Sequence, residues 1–478
     1  MTDNKVTIIG GGLAGSSIAA QLCQHAKEPL DILIIEPRPE LGAGVAYSAD
    51  DPDHRLNAPL FVHFITPEKA EDFQRWFIEG DHLKHDPDAL SSDGNIYARR
   101  REFAHYVVEF MDRLIKTNPS NSTITHRQDS ALEISATKDG YRIFTKAGGE
   151  IETNCVALAT GNQSPSAPPP FDKMMTKHPA FYKSPWELEK IWDIKQEAEV
   201  LIIGAGLTMS DVTATLMRQG HSGNITAVSR RGMLPQTHAK PPADAPPRKP
   251  FEGIMADKPL HINGNLLKIF SDLRKRMKAD MAKGGEWHWA FDELRDSVWQ
   301  IWPGLSDSDQ RQYLRHLRQW YDSHRFRMPP QTAEILDDAL AKGILKYKSG
   351  HIFSASDHGS QISVQFQERR AGSSEVFHFD AIINCTGPSQ NPNASQNPFY
   401  LSIINQGLAR GHATHLGFDV DRHNRAIGKD GEIKENLFIA GPPTIGSCGD
   451  PIGGPFIAAQ ISRMVPKILA ALQTERPL

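Results

Sequence analysis

Residues 5–36 read KVTIIGGGLAGSSIAAQLCQHAKEPLDILIIE, and the rest of the chain is best understood as serving what this stretch binds. Val6 to Ile9 is a short apolar, β-branched run of the kind that forms a buried parallel strand. It passes directly into Gly10-Gly11-Gly12-Leu13-Ala14-Gly15, which fits G-x-G-x-x-G at positions 10, 12 and 15. A helix-like segment rich in Ala, Ile and Leu follows, and Asp31 to Ile35 supplies a second apolar strand that ends in Glu36. Each part has a mechanical task. Gly10 permits the tight strand-to-helix turn, Gly12 lets the backbone approach a pyrophosphate, and Gly15 lets the helix pack closely on the sheet. The helix N-terminus, with Leu13 and Ala14, offers unpaired N–H groups to phosphate oxygens. Glu36 can accept hydrogen bonds from a ribose 2′-OH and would repel a 2′-phosphate. A Gly-rich surface turn beside an unrelated helix would lack this strand, helix, strand and terminal acid. FAD rather than NAD is the expected ligand, because the site lies at the extreme N-terminus of a long chain.

The 478 residues allow about three domains at one per ~150 residues. Lys+Arg 53 against Asp+Glu 57 leaves a net charge of −4, so no global basic field points to nucleic acid or an anionic membrane. Cys23, Cys155, Cys385 and Cys448 are scattered without a C-x-x-C, which argues against a redox-active disulfide and against a metal site. That usage suits a reducing cytoplasm. The apolar N-terminal stretch has no basic region or small-residue cleavage site of a signal peptide. Residues 455–472 are interrupted by Arg463 and Lys467 and do not read as a membrane span.

After Glu36, PRPELGAGVAYSADDPDHRLNAPLFVHF again places glycines, Gly42 and Gly44, where backbone must pass close to something. Arg55-Leu56-Asn57 brings polar groups into an otherwise apolar turn, a surface loop or a track along the ribityl chain and ring of a flavin. A helix from about Arg101 would align Phe103, Tyr106, Val107 and Phe110 as a core stripe. Arg100 at its start is either a phosphate contact or a solvated arginine. Short strands from about Ser122 end in CVALATG, closing at Gly161, before the linker-like SPSAPPP of residues 164–170.

A second nucleotide fold starts at Glu199. Val200 to Ile203 is its strand, Gly204-Ala205-Gly206 its turn, and a helix carrying Thr208 runs from Leu207 to Gln219, with Gly220 as a C-terminal cap. Met209 occupies the third glycine position. The next strand ends in Ser229-Arg230-Arg231 with no acid, and two arginines there suit the 2′-phosphate of NADP, so NADPH is expected over NADH. Residues 235–250 read as a Pro- and Lys-rich crossover. From about Leu260 to Leu345 the chain is mostly helical and carries Trp287, Trp289, Trp299, Trp302 and Trp320. This insertion either caps the flavin and walls a substrate pocket or packs as a helical subdomain or oligomer surface. Its Arg315-His316 and His324-Arg325 pairs read as a solvated face, without the spacing of metal ligands. DAIINCTG at 380–387 and NLFIAG at 436–441 are further strands, the latter leading into Gly441-Pro442-Pro443, a Gly-rich loop and a last helix.

Two dinucleotide motifs, two strands closing in Thr-Gly and a C-terminal return resemble the two-dinucleotide-binding-domain flavoproteins. GGGLAG with GAGVAYSADDPDHRLNAP, ARRREFAHY, LIIGAGLTMSDV with GHSGNITAVSRRG, and RHLRQWYDSHRFRMPP resemble more closely the YdhS-like group of FAD/NAD(P)-binding proteins, over nearly the whole chain. RREFAHY is also similar to the R-x-E-F segment of N-hydroxylating monooxygenases. The resemblance implies Gly10, Gly12, Gly15, Glu36, Asn57, Arg100, Gly161 and Gly441 at FAD, and Gly204, Gly206, Thr208 and Arg230 or Arg231 at NADP. The F-x-G-x-x-x-H-x-x-x-W fingerprint of typical flavin-containing monooxygenases is missing; only FYKSPW stands at 181–186.

The fold expected is α/β, with two Rossmann-like domains, the second inserted in the first. FAD would occupy 1–165 plus 375–478, NADP 195–255 plus 345–374, and the helical insertion 256–344. The activity expected is an FAD-dependent, NADPH-consuming monooxygenase that hydroxylates a small polar molecule with dioxygen through a C4a-hydroperoxyflavin. An amine, amino acid or heterocycle would be its substrate. The alternatives are a reductase passing electrons to a small acceptor or partner protein, and a non-catalytic flavin redox sensor. Flavin-borne chemistry needs no side-chain nucleophile, so no triad is expected.

Overall fold

In a computed structural model, which describes residues 4–171, 174–239, 254, 265–369 and 373–473, the apolar runs become strands whose two faces are both covered. β1 (Lys5–Ile9), α1 (Leu13–His25) and β2 (Asp31–Ile35) form the opening unit. Helix α2 (Arg100–Lys116) leads to β3 (Thr123–Arg127). A three-stranded meander of β4 (Ala131–Thr137), β5 (Gly140–Thr145) and β6 (Glu150–Thr153) comes next, followed by β7 (Cys155–Leu158). Next are β8 (Phe181–Tyr182), β9 (Val200–Ile203), α3 (Leu207–Arg218) and β10 (Ile225–Ser229). The insertion contributes α4 (Leu266–Ala282), α5 (His288–Ile301) and α6 (Arg318–Arg325), and α7 (Pro330–Ala341) returns to the second fold. β11 (Leu345–His358), β12 (Gln361–Glu368), β13 (Ser374–Phe379), β14 (Ala381–Asn384), β15 (Arg425–Ile427), β16 (Ile433–Ile439) and α8 (Gly454–Gln473) complete the chain. The crossover expected at 235–250 lies outside the described residues from 240 onward, as does the start of the insertion up to 264, Ile254 excepted.

The first sheet has the order β15-β16-β7-β1-β2-β3, parallel except for β15. Leu437 to Ile439 pair with Val156 to Leu158, so the C-terminal segment returns to the N-terminal sheet as expected. The second sheet has the order β13-β12-β11-β10-β9-β14-β8 and is built entirely from residues between β7 and β15. One Rossmann-like fold is thus inserted in another. The boundary expected at 375 needs correction, because Ala381 pairs with Val200 and all four residues of β14 are buried. A fully buried strand needs neighbours on both sides, and β14 finds them in β9 and β8 of the second sheet. The FYKSPW segment likewise supplies β8, the edge strand of that sheet, ahead of the expected start at 195.

Helices α1 and α8 cover one face of the first sheet, where Ile8, Ile18, Leu22, Phe438 and Ile461 are buried together. The stripe Phe103, Tyr106, Val107 and Phe110 packs there too, as its spacing predicts. In the second fold Met209 is fully buried among Val200, Ile202 and Leu336, so its side chain fills the space that a third glycine would leave. Gly220, at φ +79°, follows the end of α3 as a left-handed cap. Among the described residues no helix is long and apolar enough to cross a membrane.

Candidate functional site

The turn after β1 is held by its own backbone. Gly10 adopts φ +104°, a conformation that side chains resist, and its N–H donates to the Ile35 carbonyl at 2.9 Å. A side chain on Gly15 would overlap the Gly10 carbonyl oxygen, so helix and strand approach only because residue 15 is glycine. Gly12 faces outward against Gly44, whose Cα would stand 3.3 Å from a Gly12 Cβ. Leu13 and Ala14 open α1 beside them. The Glu36 carboxylate, 5 % exposed, accepts the Gly11 N–H at 2.9 Å and the Arg38 N–H at 3.1 Å. It therefore clamps the loop, and it retains further lone pairs for a hydroxyl.

Gly161 follows β7 and Gly441 follows β16, so both lie at the same end of the sheet as the β1 turn, where open α/β sheets bind their ligands. A Cβ on Gly161 would meet nothing within 4 Å, and one on Gly441 would lie 3.8 Å from Ala14 Cβ. The Gly441 N–H donates to Gln460 Oε1 at 2.7 Å, and the Gln460 amide donates to Thr444 Oγ1 at 2.8 Å. Thr444 closes the ring by donating to the Gly441 carbonyl, and Pro442 opens the turn between them. Gln460 carries no sequence signal, since a lone amide in an apolar helix has no motif; only its burial reveals it. A cradle of glycine backbone without side chains fits a dinucleotide pyrophosphate.

The second turn repeats the arrangement. Gly204, at φ +116°, donates to the Val228 carbonyl at 2.8 Å, and Gly206 and Thr208 lie at the open N-terminus of α3. Ser229 Oγ accepts the Gly232 N–H and so closes the turn that carries Arg230 and Arg231. Those two arginines separate in role. Arg231 donates to the carbonyls of His316 (2.8 Å) and Arg315 (2.7 Å) in the π-helical turn Tyr313–Leu317 of the insertion. Arg230 is exposed and has no partner among the described residues.

Arg100 is not solvated. It pairs in two-pronged fashion with Asp211 of α3 (2.8 and 3.0 Å) and donates to the Arg55 carbonyl at 3.0 Å. Two of its donors thus join the two folds, and a third stays within the first. Around it, fully buried Asp51 accepts from Arg218 (2.7 Å), Thr215 (2.9 Å) and Trp192 (3.3 Å), and His54 Nε2 lies 3.0 Å from Thr215 Oγ1. Burial pushes the Asp51 carboxyl up, but His54, the Asp53 N–H, Arg218 and Thr215 together hold it below the usual carboxylate range. Asp211, Thr215 and Arg218 at i, i+4 and i+7 form one polar face of α3.

The insertion docks on the loop after Gly441. Trp302 Nε1 donates to the Gly446 carbonyl at 2.6 Å, and Arg325 pairs with Asp450 at 2.6 Å with both side chains under 10 % exposed. The Arg/His stripe expected to face solvent is therefore partly a docking surface, because Asp450 arrives from a segment 125 positions away. Arg327 and Asp292 form a second buried pair beneath Trp287, which stacks on His288 at 3.7 Å. No group of His, Cys, Asp or Glu among the described residues could hold a metal. A cavity of about 150 Å³ lies between Trp299, Arg463 and the turn at Cys448 to Pro451. Asn57, half-buried, accepts a hydrogen bond at its carbonyl from His238 Nε2 at 2.9 Å.

Burial lowers the imidazoles of His63, His238 and His288 from 6.5 to about 4, with Arg327 adding to the effect at His288. In the unfolded chain these rings take up protons near pH 6.5, and in the folded protein only near pH 4. The unfolded state therefore binds more protons across that window, and stability is lost as pH falls through it. Each ring contributes on the order of 3 kcal/mol at the acid end. Urea unfolding at pH 7, 5.5 and 4.5 should show a progressive fall; a flat profile would contradict neutral burial.

Residues 7–163 match the family model described as FAD-NAD(P)-binding. Residues 90–242 match that of L-lysine 6-monooxygenase/L-ornithine 5-monooxygenase. No curated protein sequence matches the chain. Among solved structures, it is similar to an L-lysine 6-monooxygenase from Pseudomonas syringae (14 % identity, 99 % of each chain, TM-score 0.65). It is also similar to an FAD-bound cadaverine monooxygenase from Erwinia amylovora (11 % identity, 99 % of this chain and 94 % of that one, TM-score 0.65). An ornithine N-hydroxylase from Kutzneria, solved with reduced FAD, NADP+ and L-ornithine, is a third (12 % identity, 98 % of each, TM-score 0.61). The chain thus has the fold of these flavin monooxygenases, two Rossmann-like dinucleotide-binding folds, the first of them in a segment that matches an FAD-NAD(P)-binding model.

Proposed function

We propose that the protein is an FAD-dependent, NADPH-consuming monooxygenase that hydroxylates the nitrogen of a small amine. The observation that carries this reading is the docking of the insertion onto the Gly441–Gly454 loop through Trp302, Tyr321 and Arg325. A buried, hydrogen-bonded seam of that kind would help to exclude water, as oxygen transfer requires. Bound FAD supplies hydride acceptance from NADPH and activation of dioxygen. The chain's own groups bind and orient. The glycine backbone at 10–15, 44, 161 and 441 would hold FAD, Gly204, Gly206 and Thr208 would receive the NADP pyrophosphate, and Asn57 would line the ring end. The amine class draws support from the lysine/ornithine monooxygenase match over residues 90–242. The YdhS-like motifs make that group the narrower placement we favour, with a cytoplasmic enzyme and FAD, NADP and helical segments divided after Asn384 rather than at 375.

Anaerobic NADPH should bleach the flavin, and oxygen admitted with ornithine, lysine or cadaverine should yield hydroxylamine in proportion to NADPH consumed. Proportionate quinone reduction without hydroxylamine would return the reductase reading. Of the paired arginines, Arg230→Ala should raise the KM for NADPH about tenfold or more while leaving that for NADH nearly unchanged, the signature of a lost phosphate contact. Arg231→Ala should disturb both cofactors alike, since its partners are insertion carbonyls. Equal effects of the two variants on NADPH selectivity would refute the division.

A further inference from the structure

Residues 236–238 are held against the end of α6 by backbone alone. Gln236 N–H donates to the Ser323 carbonyl (2.8 Å), Met328 N–H to the Gln236 carbonyl (2.8 Å) and His238 N–H to the Met328 carbonyl (3.2 Å). This ladder sets the His238 ring beside Tyr97, 5.4 Å between centroids, with Nε2 2.9 Å from the Asn57 carbonyl. A carbonyl oxygen only accepts, so Nε2 carries the hydrogen. A neutral imidazole has one N–H, which leaves Nδ1 as a bare lone pair. Burial keeps the ring neutral down to about pH 4. Among the described residues no donor reaches Nδ1. Among the described residues the tautomer is therefore fixed and Nδ1 is left as an acceptor for something else.

The position of Asn57 gives that acceptor meaning. Its loop begins at Gly44, which touches Gly12 of the phosphate turn, and reaches Phe64, whose carbonyl would stand 3.7 Å from a Cβ on Gly454 at the start of α8. Asn57 lies along this track from the pyrophosphate cradle to the far end of the crevice.

We propose that His238 is a positioning residue of the oxygen-transfer site: Nε2–H fixes the Asn57 carbonyl, and Nδ1 accepts a hydrogen bond from an N–H donor bound there. The donor is either the amine substrate or the carboxamide of the nicotinamide, and naming it rests on the monooxygenase reading above. The tautomer and the tie to Asn57 do not.

Two variants separate the two nitrogens. In His238→Gln the side-chain amide nitrogen keeps a donor for Asn57 and no acceptor remains at the Nδ1 position. In His238→Asn an acceptor replaces Nδ1, but the side chain is too short to reach Asn57. In the holoenzyme labelled with 15N-histidine, His238 should show a pyrrole-type Nε2 and a pyridine-type Nδ1. The visible bands of the oxidised flavin should shift in His238→Asn and stay in place in His238→Gln. NADP+ and cadaverine, each titrated against the flavin spectrum, distinguish the donors. In His238→Gln a rise of about tenfold in one dissociation constant, the loss of one hydrogen bond, assigns the donor to that ligand. A pyrrole-type Nδ1, or no change in either constant, overturns the proposal. Failure of the wild type to form hydroxylamine would instead overturn the monooxygenase reading, with the tautomer and the NADP+ titration unaffected.

Discussion

A Gly15→Ala protein should purify colourless, with essentially all its flavin lost. The added methyl would overlap the Gly10 carbonyl oxygen and press on Ile8, so α1 must lift from β1 and carry its N–H groups away from the pyrophosphate. Gly10 cannot yield, because its N–H is committed to the Ile35 carbonyl at 2.9 Å and its φ of +104° is already special. Gly12→Ala is the informative contrast. Its Cβ would meet only Gly44, at 3.3 Å from its Cα and 3.8 Å from its N, so the protein should fold with little change in urea midpoint and lose FAD affinity through the ligand side alone. Flavin absorbance per polypeptide and urea unfolding of both variants decide the matter. Full flavin content in Gly15→Ala would remove the N-terminal turn from the FAD site.

Arg100→Ala should destabilise the protein by about 3–5 kcal/mol, because the Asp211 carboxylate would remain buried without its partner. The side chains are 11 % and 9 % exposed, so water cannot replace the lost guanidinium. Asp211→Ala should cost a similar amount, and the double variant should cost much less than the sum, since the second removal takes away the orphaned charge. Arg100 and Asp211 sit on different folds, so the loss should appear as loosening of the seam between α2 and α3. Limited proteolysis and urea unfolding would register it. Unchanged stability with weakened FAD binding would restore Arg100 to the phosphate, the role its sequence position suggests.

Arg100 also illustrates where sequence stops. Both glycine turns were legible, because a strand, three spaced positions and a helix are written within about 30 consecutive residues and the backbone geometry follows from them. The stripe Phe103, Tyr106, Val107 and Phe110 was legible for the same reason: its spacing is local. By contrast, the partner of Arg100 lies 111 positions away, that of Arg325 lies 125 away, and the amide that holds Gly441 comes from the middle of α8. Whether a charged or amide side chain is buried depends on what packs over it, and no spacing rule encodes that. Arg230 and Arg231 are adjacent and chemically identical, yet one meets the carbonyls of a π-helical turn and the other solvent.

The sequence by itself determined the two glycine turns, their order, the insertion of one fold in the other and the class of cofactor. These are properties of short, contiguous patterns. Only the tertiary structure decided that β14 joins the second sheet, that Arg100 bonds the two folds, and that His238 reaches Asn57. Each depends on pairing between distant segments, where a buried polar group escapes its desolvation cost only if the packed fold brings a specific partner to it.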